Sequence, residues 1–80
     1  MHFMRMHPRN LKSPGGRLSA LRDAAGLSLK DLAKRSGITQ SHISQIERGK
    51  RDPQLTTLRA LAAALKVRVG DIVDGHARAA

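Results

Sequence analysis

Gly37 ends one amphipathic stretch of the chain, and only Ile38 separates it from Thr39, which is suited to open the next. Two short helices joined by so tight a connection must cross at a steep angle. That crossing needs a small side chain in the second helix of the chain and a glycine in the turn, and Ala33 and Gly37 supply them. The grammar on either side is consistent. Ser28 is a good N-cap, Asp31 can return its bond, and Leu27 is placed to staple onto Leu32 across the cap. The buried face of this second helix is Leu29, Leu32 and Ala33. Thr39 repeats the pattern for a third helix, with Ile38 and Ile43 as the staple, Ile43 and Ile46 facing inward, and Gly49 as the stop.

Three further helices follow from spacing. Leu18, Leu21 and Ala25 share a face and predict a first helix from about Arg17 to a stop at Gly26. Pro53 suits the first turn of a fourth helix, whose stripe is Leu55, Leu58, Leu61, Ala62 and Leu65. A short fifth helix over Val69 to Val73 closes the domain. The expected fold is all-α, with five helices over residues 17–73. Residues 1–16 hold Pro8, Pro14 and Gly15-Gly16 and show no apolar period, so they read as a flexible basic arm carrying Phe3, the one aromatic residue. Residues 74–80 read as a flexible tail.

Eighty residues suit one domain with a thin core, too small for a binding domain plus a separate sensing or catalytic unit. With no cysteine there is neither a disulfide framework nor a thiolate zinc site. The apolar stretches are short and broken by charge, and no signal-peptide pattern follows the basic start, so the expectation is a soluble, cytoplasmic protein. The net charge is +9. Most of it lies in the expected folded part, where residues 17–73 carry eleven basic side chains against five acidic ones. That surplus points to a polyanion, nucleic acid above all.

With Ile43 and Ile46 inward, steps of about 100° per residue turn Ser41, Ser44, Gln45 and Arg48 outward, with Gln40 and His42 on the flanks. An ordinary solvated helix carries Glu and Lys on that face. Here it is polar and nearly uncharged, and glutamine pairs well with the N6 and N7 edge of adenine. Phosphate clamps should bracket such a helix, because backbone contacts fix the register in which bases are read. Ser28 and Lys30 at the start of the second helix, Lys34 and Arg35 at its end, and Arg48, Lys50 and Arg51 after the third helix are the candidates. No Ser-His-Asp set, carboxylate pair or phosphate-cradling loop is evident, and four scattered histidines make no metal site. Neither an enzyme nor a cofactor is expected.

The run from Leu21 through "LSLKDLAKRSGITQSHISQIERGK" to Val67 resembles the lambda-repressor-like helix-turn-helix family, the Cro and repressor (XRE) type of DNA-binding domain. The likeness covers about residues 17–73, with Ala33, Gly37, Ile43 and Ile46 at the family spacing. It implies base contacts from Gln40, Ser41 and Gln45, with Ser44 beside them, and a structural ion pair between Arg22 and Glu47. One departure stands out. Many relatives carry glutamine where this chain has Leu29, leaving backbone groups and Lys30 to make that clamp. The resemblance further implies a transcriptional regulator, a repressor or autoregulator, that binds a palindromic double-stranded DNA operator as a homodimer and sits on the prokaryotic nucleoid when bound. Val67, Val69, Ile72 and Val73 serve either that dimer or the core. Antitoxins, restriction-modification controllers and phage regulators share the fold. The competing reading is an antitoxin or protein-bridging module, whose protein partner, a toxin or a regulator, would be held by the arm, the tail or the helices.

Overall fold

The computed structural model describes residues 11–73. The expected tail, and the first ten residues of the expected arm with Phe3, lie outside the described residues. The chain forms α1 (Pro14–Ala24), α2 (Leu29–Ser36), α3 (Gln40–Glu47), α4 (Leu55–Leu65) and α5 (Val69–Val73), with no strand among the described residues.

Helix α1 begins three residues before the expected start at Arg17, so residues 14–16 belong to the helix and not to an arm. The Ser13 hydroxyl accepts the Gly16 N–H at 3.0 Å, and the Ser13 carbonyl accepts the Arg17 N–H at 3.0 Å. Pro14 then occupies a first-turn position where a missing N–H costs nothing. The glycines mark a close approach, not a break. A Cβ on Gly15 would lie 2.1 Å from the Ile46 carbonyl oxygen and 3.0 Å from that of Glu47. Only a residue without a side chain lets the start of α1 rest on the end of α3. At its far end α1 stops at Ala24, and Ala25, expected on the core face, is exposed in the turn because the helical period has already ended.

In α2 both bonds of the capping box are present, Asp31 N–H to the Ser28 hydroxyl and Ser28 N–H to the Asp31 carboxylate, each 3.0 Å. Gly37, at φ 78°, ends the helix in the left-handed region and donates its N–H to the Ala33 carbonyl at 2.9 Å. After Ile38 the Thr39 hydroxyl accepts the His42 N–H at 3.1 Å and opens α3. The tight connection is thus closed by a positive φ on one side and a hydroxyl cap on the other.

Helix α4 begins at Leu55, with Gln54 at the cap and Pro53 outside the helix, so Pro53 does not take the first-turn position expected of it. Leu55 is also 53% exposed and is no part of the core. Steps of 100° place it about 70° from the centre of the arc of Leu58, Leu61, Ala62 and Leu65, no farther than buried Thr57 on the other side, so its exposure follows from its place at the helix start and not from the face it occupies. Helix α4 ends at Lys66, which takes φ 61°. The bonds Lys66 N–H to Ala63 and Val67 N–H to Ala62 close the end as a Schellman motif, with lysine where glycine is usual.

One core holds the five helices. Leu18, Leu32, Ile43, Ile46, Leu61 and Ile72 are fully buried, with Leu58, Ala62 and Leu65 beside them. Helix α1 packs on α3 and α5, α2 on α3 and α4, and α4 on α5. Two substitutions should therefore move stability in opposite directions in urea denaturation. Gly15→Ala is expected to cost about 1–3 kcal/mol by overpacking despite alanine's better helix propensity. Lys66→Gly is expected to add about 1 kcal/mol by relieving the left-handed lysine.

Candidate nucleic-acid interface

Burial of Ile43 and Ile46 fixes the rotation of α3. Gln40 and Ser41 are exposed, while Ser44 and Gln45 are half-buried, as is His42 on the flank. Among the described residues, no side chain of Gln40, Ser41, Ser44 or Gln45 makes a hydrogen bond within the protein, so their donors and acceptors are open to an outside partner. The outward edge combines amides and hydroxyls, groups able to read base edges.

The end of α3 turns a basic run outward. Gly49, at φ 75°, donates to the Ile46 carbonyl at 3.0 Å, and the Lys50 N–H reaches the Gln45 carbonyl at 2.8 Å. Arg48, Lys50 and Arg51 all project from this closed turn into solvent. Lys30, Lys34 and Arg35 on α2 are exposed too. Exposure alone suits them to phosphate contact without assigning any one of them to it.

The start of α2 is partly committed. Its capping box consumes the N–H groups of Ser28 and Asp31, leaving those of Leu29 and Lys30 at the helix start without an intrahelical acceptor. Leu29 packs half-buried against the core. The Asp31 carboxyl is held below its ordinary value of 3.8, first by the Ser28 N–H and then by the Ser28 hydroxyl, with Arg35 and Lys34 adding to the effect. An anion approaching this helix end therefore meets two free N–H groups and Lys30, but also a fixed carboxylate.

One ion pair ties α3 to the rest of the domain. Arg22 on α1 grips Glu47 at the end of α3 through two bonds, Nε to Oε2 at 2.7 Å and Nη2 to Oε1 at 3.0 Å. Its remaining nitrogen donates to the Leu27 carbonyl in the α1–α2 turn at 2.9 Å. The side chains are only 15% and 9% exposed. The bidentate geometry fixes orientation as well as distance. Sequence reasoning missed Gly15, whose place under the same end of α3 supports the pair. Its signal was there, two adjacent glycines after a capping serine and a proline, but they read equally well as a break.

Two measurements check this part of the structure. Glu47→Gln should lower stability by about 3 kcal/mol in urea denaturation, because it leaves a nearly buried guanidinium short of charge, and replacing both partners with apolar residues should recover most of that loss. A carboxylate whose pKa is depressed by folding contributes stability that is fully present above the unfolded value of 3.8 and lost as pH falls through the lower folded value. Asp31→Asn should therefore be less stable than the parent chain near neutrality, and the gap should close in acid.

Among the described residues no helix is long and apolar enough to cross a membrane, and no group of His, Asp and Glu side chains is placed to hold a metal ion. The helix-turn-helix family model matches residues 18–72. The HTH-type transcriptional regulator y4dL of Sinorhizobium fredii is 50% identical over 52 residues, 65% of this chain and 26% of the regulator. The restriction-modification controller protein C.AhdI from Aeromonas hydrophila superposes with a TM-score of 0.73 at 39% identity, covering 78% of this chain and 94% of the controller. The P22 c2 repressor, solved in complex with a synthetic operator, gives 0.74 at 30% identity, covering 79% of this chain and 96% of the repressor. The matched part spans less than half the length of the first curated relatives.

Proposed function

The chain belongs to the helix-turn-helix family, in its lambda-repressor-like branch, and on that premise we propose that it is a sequence-specific regulator of transcription that reads a double-stranded DNA operator with α3 in the major groove. The observation that carries this reading is the outward edge of α3, uncharged, unbonded within the protein and followed at once by three exposed cations. Nonspecific affinity can come from charge anywhere on a chain of net charge +9. Specificity cannot, and an edge of amides and hydroxyls is the chemistry it needs.

Gln40 and Gln45 act as the principal base readers, with Ser41 and Ser44 beside them. Arg48, Lys50 and Arg51 hold the phosphates beyond the end of α3, and Lys34 and Arg35 are further candidates on α2. At the start of α2 the clamp rests on the Leu29 and Lys30 N–H groups and the Lys30 ammonium. Ser28 contributes least, since its N–H and its hydroxyl are both engaged with Asp31 in the capping box. Asp31 sets a cost against that clamp, so the cations after α3 carry the larger part of the backbone contact.

A single eight-residue helix covers few base pairs. Two copies about 34 Å apart on one face of the duplex reach the usual range of operator affinity, so the active species is a homodimer on a palindromic site. The act of regulation is repression or autoregulation by occupancy of that site.

A duplex selected from random DNA by binding provides the test. Gln40→Ala or Gln45→Ala is expected to weaken binding to it by about 1–3 kcal/mol and to relax preference at one base pair. Lys50→Ala or Arg51→Ala is expected to weaken all duplexes alike and to flatten the dependence on salt. Identical behaviour of the two classes, or an absence of any preferred sequence in the selection, would overturn the reading.

A further inference from the structure

Leu29 is the first residue of α2 and shares a stripe with Leu32 and Ala33. Leu32 is fully buried, yet Leu29, one turn earlier, is only half-buried. A helical side chain leans toward the N-terminus of its helix, so the uncovered part of Leu29 lies over the start of α2. That place is otherwise polar. Lys30 and Asp31 are exposed, Ser28 and Asp31 are bonded to each other, and the N–H groups of Leu29 and Lys30 have no intrahelical acceptor. Donors that suit an oxygen therefore stand beside an apolar surface that no oxygen satisfies.

We propose that Leu29 reads the C5 methyl group of a thymine at the operator nucleotide whose phosphate is held at the start of α2; the proposal rests on the DNA-reading role above and adds to it a specificity determinant outside α3. The chemistry of the groove selects this occupant. Every base pair presents hydrogen-bonding groups in the major groove, and the apolar feature among them is the thymine methyl. In B-form DNA that methyl stands at the backbone side of the groove, close to the phosphates of its own strand. A side chain beside a clamped phosphate reaches it without descending to the groove floor. The Asp31 carboxylate, fixed by the Ser28 N–H, repels a second phosphate from the same place. The amides and hydroxyls of α3 bond oxygens and nitrogens that thymine and uracil have in common, so an apolar contact is what separates those two bases. Leu29 supplies one where a polar side chain would only strengthen the clamp.

Replacing thymine by uracil, one position at a time, in a duplex selected from random DNA removes the methyl group and nothing else. The parent chain is expected to lose about fourfold in affinity at one thymine of the selected half-site, the worth of one buried methyl group. Leu29→Ala and Leu29→Gln are expected to bind the thymine and uracil duplexes alike, while Leu29→Met, which keeps an apolar side chain, retains the difference. The ratio is taken within each variant, so stability lost from the core by changing Leu29 cancels from it. If Leu29→Ala does not fold, Leu29→Gln against Leu29→Met decides the matter. A selected site without thymine, equal affinity of the parent for every uracil duplex, or a thymine preference that survives in Leu29→Gln would overturn the proposal. A chain indifferent to uracil that still prefers the selected sequence overturns this inference alone, whereas a selection without any preferred sequence overturns the DNA-reading role and this inference with it.

Discussion

The bidentate bond between Arg22 and Glu47 is the constraint on which the presentation of α3 depends. Burial of Ile43 and Ile46 sets which face of this eight-residue helix turns inward, but it does not tie the helix end to α1. The pair adds direction. Because the third guanidinium nitrogen bonds the Leu27 carbonyl, the same side chain also fixes the turn leading into α2. The start of α1, seated on the Ile46 and Glu47 carbonyls through Gly15, bears on the same end of α3. The end of the helix is therefore held by an ion pair and a backbone contact together, while its outward edge stays unobstructed.

Electrostatics divides the surface between two tasks. The α3 edge avoids charge, so on the proposed reading it would contribute little to nonspecific attraction and leave discrimination to hydrogen bonding. The cations stand at its margin in a turn closed by two backbone bonds, which on the proposed reading would set them against phosphates in a defined register. Asp31 works against attraction at one helix end, yet the same carboxylate caps α2 and so stabilises the scaffold that α3 rests on. Scaffold and interface compete for that one side chain, and the cap has it.

What the sequence made legible was whatever local chemistry determines. The caps at Ser28 and Thr39, the stop at Gly37 and the inward pair Ile43 and Ile46 are decided within one turn of chain, and all four stand in the structure. The start of α1 was not legible. Gly15 and Gly16 are poor helix formers, and their helical state follows from packing against α3, thirty residues away in the chain. Leu55 misled for a related reason, since an apolar residue at a helix start shares the period of the stripe without lying under a neighbour. The Leu11, Ile72 and Val73 carbonyls that accept bonds from the Arg17 guanidinium come from both ends of the domain, and no spacing rule joins residues so far apart. Of the interface itself, the outward edge could be read from helical period, whereas the partial commitment of Ser28 and Asp31 to each other became clear only from the geometry of their two bonds.

The insertion of α3 into a groove is tested most directly by following backbone amide resonances of the full chain as a selected duplex is added. The expected result is that the large shifts fall on residues 28–30, 40–45 and 48–51, with slowed exchange for the side-chain amides of Gln40 and Gln45. Shifts centred instead on α5 or the outer face of α4, with the α3 edge unchanged, would contradict the central claim that this edge is the reading surface.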